Sequence, residues 1–82
     1  MTIETVIARL ATTPEALAAL DDADCIEGYR DGRNNDPMPG ANRSDAYAHG
    51  WWTGMCDGHH REPHPIDRVI VKAFLSKSQS AP

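Results

Sequence analysis

The chain is short of the materials from which large cores, membrane spans and nucleic-acid surfaces are made. Of its 82 residues only 6% are aromatic, and alanine supplies much of the 40% that is hydrophobic. The large apolar side chains reduce to a few Leu and Ile, two Trp, two Tyr and Phe74. At this length a single core gives only a few kcal/mol of stability. A compact helical domain is within reach, and a large enclosed active-site cavity is excluded. No apolar run approaches the roughly 18–20 residues that cross a bilayer, and MTIETVIARLATT has neither the basic start nor the long apolar stretch of a secretory signal. The expectation is a cytoplasmic protein without a membrane partner, in which Cys25 and Cys56 are reduced thiols. Basic residues are scarce as well: eight Lys and Arg against twelve Asp and Glu give a formal charge of −4. That balance argues against a non-specific nucleic-acid binder, which carries a basic surface.

What is present points to helices. Ile3, Val6, Ile7 and Leu10 form one stripe of a short helix over residues 2–11, with Thr2 as its cap. Thr13-Pro14-Glu15 combines a cap, a proline at the first helical position and an acid in the first turn, so a helix starts there. It runs to about Arg33, either unbroken or divided near Asp21-Asp22. Residues 34–40, NNDPMPG, are a loop. Ser44 caps a helix to about Gly58, and residues 59–65, with three histidines and two prolines, form no regular element. Ile66, Val69, Ile70, Ala73 and Phe74 predict a final helix of about ten residues; a strand over 68–75 is the alternative reading, since Val-Ile-Val favours β structure. Residues 1–76 then make one domain and 77–82 a disordered tail.

Glycines punctuate two of these helices at helical spacing. Gly28 and Gly32 are four apart, as are Gly50, Gly54 and Gly58, so each set lines one face at about 100° per residue. Each costs roughly 1 kcal/mol relative to alanine, and close approach of two helix backbones offsets that cost. In water such faces only permit intimate packing, so flanking side chains must supply the energy. Tyr29, Tyr47 and Trp51 fall beside the glycines, with Cys25. Trp52 and Cys56 fall on the far side, about 200° and 240° from Gly50. The expected fold is therefore all-α: an antiparallel helical hairpin with a glycine-lined seam, Gly28 opposite Gly54 and Gly32 opposite Gly50, covered by short terminal helices. Trp52 either packs under those helices or serves as a contact residue, and with Tyr29 it is a partner-binding candidate.

The central region, Gly28-Tyr29-x-x-Gly32, a loop with Asp36-Pro37, then Arg43-Ser44-x-x-Tyr47-x-x-Gly50-Trp51-x-x-Gly54, resembles the ribosome modulation factor family over residues 24–58. The resemblance implies two helices joined by an ordered connection. It also implies binding to the small ribosomal subunit and its rRNA near the messenger exit, favouring inactive ribosome dimers. Tyr29, Arg30, Arg43, Ser44, Tyr47 and Trp51 occupy the matching positions. This chain departs from the family in being acidic and longer at both ends. Asp31 lies inside the first motif, Asp36 replaces the cysteine before proline, and Trp52 stands where a basic residue is common.

Three other chemistries are readable. Arg30, Arg33, Arg43 and Arg61 flank the loop and could form a nucleic-acid contact with an exposed aromatic for stacking; the same arginines could equally pair with Asp31, Asp36 or Asp45. Cys56-x-x-His59, with His60, His64 and Cys25, offers zinc donors, yet the spacing fits no finger and Pro63 breaks helical pairing of His60 with His64. The expectation is no metal and no cofactor. A Cys56–histidine pair lacks an orienting third group, so no catalytic residue is assigned and enzyme activity is not expected. Asp21, Asp22, Asp24 and Glu27 read as a solvated helix start. The leading reading is a ribosome-modulation-factor-like binding protein. The other is an acidic protein-binding module without RNA binding, of the kind phage or mobile elements use to inhibit a host protein.

Overall fold

The computed structural model describes residues 3–79, and all its regular structure is helical: α1 (Ile3–Ile7), α2 (Pro14–Ala18), α3 (Asp22–Arg33), α4 (Asp45–Asp57) and α5 (Ile66–Gln79). The start signals act as the residue types dictate. Thr13 accepts from the Ala16 N–H, Asp21 from the Asp24 N–H and Ser44 from the Tyr47 N–H, each at 3.0–3.1 Å. Asp21 divides α2 from α3, which settles the open question of one helix or two. The first helix is shorter than its stripe predicts, ending at Ile7, and its expected cap Thr2 lies outside the described residues. The last is longer: it continues through Gln79, so residues 77–79 are helical where a disordered tail is expected, and residues 80–82 lie outside the described residues. No helix among the described residues is long and apolar enough to cross a membrane.

The all-α architecture and the glycine seam between α3 and α4 are as the spacing implies, but the direction and register differ. A Cβ built on Gly28 would lie 2.1 Å from the Tyr47 carbonyl oxygen, and one on Gly32 would lie 2.3 Å from that of Trp51. From the other side, Gly50 faces the Cys25 oxygen at 2.0 Å and Gly54 faces the Tyr29 oxygen at 2.2 Å. Four residues forward on α3 therefore correspond to four residues forward on α4. The helices run parallel, and Gly28 and Gly32 sit against α4 carbonyls, not against Gly54 and Gly50. The eleven-residue connection from Asn34 to Ser44 makes this possible. It can extend to about 36 Å, twice the roughly 18 Å length of a 12-residue helix, and so returns the chain to the start of the pair.

That crossover is pinned along its course. The Trp51 indole N–H donates to the Asp36 carbonyl at 2.9 Å, Met38 packs on the core and Pro39 is buried. Arg9 donates to the Gly40 carbonyl at 3.1 Å and to the Arg43 carbonyl, and pairs with Asp45 at 2.8 Å.

Packing makes α4 the central element. Its glycine face meets α3, and its opposite face carries Ala48 and Trp52 into a core with Val6 and Leu10 of the N-terminal segment and Ile70 of α5. A helix apolar on all sides must be buried on all sides, and α4 is: the run from Ala46 to Trp52 is buried without a break. A smaller cluster of Ala11, Leu17 and Ala73 joins α2 to α5. The predicted α5 stripe is only partly correct. Ile66, Ile70 and Ala73 turn inward, whereas Val69 and Phe74 are 47% and 57% exposed.

Alanine ordinarily gains about 1 kcal/mol over glycine in a helix. Gly50→Ala should do the reverse, because its Cβ meets backbone that cannot rotate away; a loss of about 2 kcal/mol or more is expected. Chemical denaturation of Gly50→Ala beside Gly40→Ala checks this: Gly40 faces only the Asn42 side chain, so its variant should remain within about 0.5 kcal/mol of the parent.

Candidate functional site

The four candidate arginines do not form one surface. Arg61 is an internal strut. Its guanidinium lies 3.8 Å from the centre of the Trp52 ring and binds both carboxylate oxygens of Asp67 at 2.8 and 3.0 Å, while its Nε donates to the Trp52 carbonyl. Its side chain is 10% exposed. Trp52 is 2% exposed and donates its indole N–H to Asp67 at 2.8 Å, with the His64 ring edge-on at 5.9 Å. Arg61 as a nucleic-acid contact and Trp52 as a partner contact are therefore corrected: both are spent in tying the 59–65 segment and α5 to α4. Burial by itself would raise the Asp67 carboxyl. Hydrogen bonds from Arg61, the His64 N–H and Trp52, together with the Arg61 charge, outweigh it and hold the group at about 2.

Arg43 stands 4.3 Å over the Tyr47 ring and pairs with Glu27 at 3.3 Å. The Tyr47 hydroxyl donates to Asp31, and burial with that hydrogen bond pushes its phenol up to about 12. Arg33 lies 5.9 Å over the Tyr29 ring, whose hydroxyl donates to Asp57 at 2.5 Å; that bond and burial raise the Tyr29 phenol. Arg30 is exposed on α3, and its side chain makes no hydrogen bond or ion pair among the described residues. The tyrosines of the central motif thus face carboxylates. Of the four arginines, Arg30 and Arg33 remain outward and uncommitted to an acid.

The histidines and cysteines are dispersed into separate roles. Asn35 and His59 both adopt φ of 60°. Each ends its helix in the same six-residue closure: Asp36 N–H to Asp31 and Asn35 N–H to Gly32 after α3, His60 N–H to Met55 and His59 N–H to Cys56 after α4. This left-handed closure satisfies the last carbonyls. The His60 ring then caps the Arg33 carbonyl at 2.9 Å. His64 accepts from the Ile66 N–H at 3.1 Å at the start of α5. Cys25 lies at the seam, its thiol raised by burial and by Asp22, while Cys56 faces away toward α5. Among the described residues no three His, Cys, Asp or Glu side chains are placed to hold a metal ion.

Sequence reasoning missed Arg9, Asp67 and His49. The last had a legible signal, since it lies about 260° from Gly50 on an ideal helix, beside Trp52 and Cys56 on the face away from the seam. His49 is 5% exposed and accepts from the Ala11 N–H at 3.2 Å through Nδ1, docking the segment between α1 and α2 onto α4. That bond requires Nδ1 to be unprotonated.

Burial lowers the His49 imidazole from its ordinary 6.5. The unfolded chain then binds more protons than the folded one just below that value, so the stabilisation is full above about pH 6.5 and is lost as pH falls. The melting temperature should drop between pH 7.5 and 5, and His49→Gln should flatten that slope whatever its effect at neutral pH. Removing Arg61 leaves the Asp67 carboxylate partly buried without its cation. Arg61→Ala should cost about 2–3 kcal/mol and bring acid unfolding to a higher pH, as read by circular dichroism.

Comparison with known proteins finds no matching family model, no matching curated protein and no matching solved structure.

Proposed function

We propose that this chain is a cytoplasmic, non-enzymatic binding protein of ribosome-modulation-factor-like kind, acting on the small ribosomal subunit through the α3–α4 pair. One observation carries the reading. The residues that give the family-like spacing are those that build the pair: Gly28, Gly32, Gly50 and Gly54 bring the backbones together, and Trp51 pins the returning loop to Asp36. Arg30 and Arg33 project from the outer side of that pair, where rRNA phosphates and bases would meet them. Phosphate neutralisation dominates RNA affinity, so these two cations are the residues on which binding depends.

A second reading is favoured by a separate observation. Glu27 engages Arg43, Asp67 engages Arg61, and Asp31 and Asp57 occupy the tyrosine hydroxyls. A chain of charge −4 in which Arg9, Arg43 and Arg61 are each matched to an acid fits an acidic protein-binding module that has kept the helical pair and lost the RNA surface.

Sedimentation with small ribosomal subunits separates the two. The first predicts binding that weakens as salt rises, with Arg30→Ala plus Arg33→Ala reducing the slope of log affinity against log salt by about 1.5. Binding absent, or unchanged by salt and by both substitutions, would overturn it.

A further inference from the structure

The outer face of α5 carries chemistry that the α3–α4 pair does not use. Taking Ile70, which points inward, as zero, Phe74 falls at about 40°, Val71 at about 100° and Leu75 at about 140° on an ideal helix. These three form a continuous ridge at i, i+3 and i+4, and they are 57%, 56% and 53% exposed. Arg68 and Lys72 follow at about 160° and 200° and are exposed, and their side chains make no ion pair or hydrogen bond among the described residues. The acid of this helix, Asp67, is already neutralised by Arg61. At the foot of the ridge, Val71 borders a notch of about 130 Å³ between α4 and α5, also lined by Thr53, Cys56, Asp57, Ile70 and the Arg61–Asp67 pair. That is well below the roughly 300–1,000 Å³ of small-molecule pockets, and it suits a single inserted side chain.

We infer that this face is a docking surface for an amphipathic helix of a partner protein, one whose apolar seam meets Val71, Phe74 and Leu75 and whose acidic residues lie along the flank facing Arg68 and Lys72. An apolar helix face read as i, i+3, i+4 anchors is the helix-to-helix mode of peptide recognition, and charge along one flank selects the partner and its orientation. Two other occupants fit less well. A second copy of this chain in an antiparallel two-fold arrangement would bring like flank against like flank, setting Arg68 and Lys72 against their own equivalents. An anionic bilayer would be repelled by a chain of charge −4 with Asp57 at the edge of the same ridge. The asymmetry, Arg68 and Lys72 on one flank and no uncommitted cation at the notch, where Arg61 is paired with Asp67, specifies a partner helix acidic on one flank only.

The test uses the whole chain and a fluorescein-labelled helical peptide of about 18 residues with leucine at i, i+3, i+4 and i+7 and glutamate along one flank; its companion carries lysine at those flank positions. The glutamate peptide should bind, measured by fluorescence anisotropy, and the lysine peptide should bind at least about tenfold more weakly. Phe74→Ser, an exposed position whose variant should retain the parent's circular dichroism and melting, should weaken the glutamate peptide by about tenfold or more. Arg68→Glu with Lys72→Glu should reverse the preference between the two peptides. Equal binding of both peptides by the parent chain would overturn the inference. So would binding insensitive to Phe74→Ser, binding only to phosphatidylserine vesicles, or a dimer in sedimentation equilibrium that Phe74→Ser abolishes while neither peptide binds. None of these outcomes bears on Arg30 and Arg33, so this surface stands or falls apart from ribosome binding.

Discussion

Everything in this molecule follows from two helix backbones brought within reach of each other's carbonyl groups. At four positions along the seam the space a methyl group would need is held by a backbone oxygen of the opposite helix. Glycine is intrinsically costly in a helix, and contact of this closeness is what makes the cost worth carrying in a chain so poor in large side chains. The seam itself buries little apolar surface. The energy comes from what the approach lets the neighbours do: Tyr47 and Trp51 are drawn in beside it, while Val6, Leu10, Trp52 and Ile70 gather on the opposite face of α4.

Parallel packing then sets the electrostatics. Each helix presents about half a positive charge at its N-terminus and half a negative charge at its C-terminus, and a parallel pair puts like ends together. The Ser44 hydroxyl that caps α4 donates to Asp24 at 2.9 Å, which fixes the two N-termini side by side. Asp22, Asp24 and Asp45 occupy the first turns at that end. Arg30 and Arg33 lie in the last turn of α3, and His60 caps its terminal carbonyl at the other end. The acidic cluster that reads as a solvated helix start is thus a counter-charge to two dipoles at once. The placing of Asp22, Asp24 and Asp45 in the first turns, and of Arg30 and Arg33 in the last turn of α3, follows the direction of the helices.

The sequence made much of this legible and concealed the rest for definable reasons. Caps at Thr13, Asp21 and Ser44 are local chemistry, requiring only a side-chain oxygen and an N–H three residues on, so they could be read directly. The seam could be read because spacing of four marks a helix face. Its direction could not, because Gly28/Gly32 and Gly50/Gly54 have the same spacing in either sense, and an antiparallel pairing satisfies the pattern equally well. The length of the connection held the missing signal: antiparallel helices are commonly joined by about 2–8 residues, and an eleven-residue link is free to run back. Asp67 was invisible for another reason. Its role depends on Arg61 and Trp52 arriving from separate segments, and no spacing within one element records a meeting of three.

The same limit explains why the candidate residues fell into two groups. Arg30 and Arg33 are on a helix whose inner face is fixed by glycines, so their outward position follows from the seam alone. Arg61 and Trp52 belong to the junction of α4, the 59–65 segment and α5, where a long side chain has a choice between solvent and a neighbour. An arginine with an aromatic ring beneath it and a carboxylate beside it gains both cation–π and bidentate contacts at once. It gives up solvation for a geometry that two separate pairs could not supply. Placing Trp52 in that junction removes it from any external surface and makes α5 part of the fold. Once α5 is held by Ile66, Ile70 and Ala73 on its inner side, its remaining apolar residues have nowhere inward to go. Their exposure is the cost of fastening a broadly amphipathic helix along a narrow stripe.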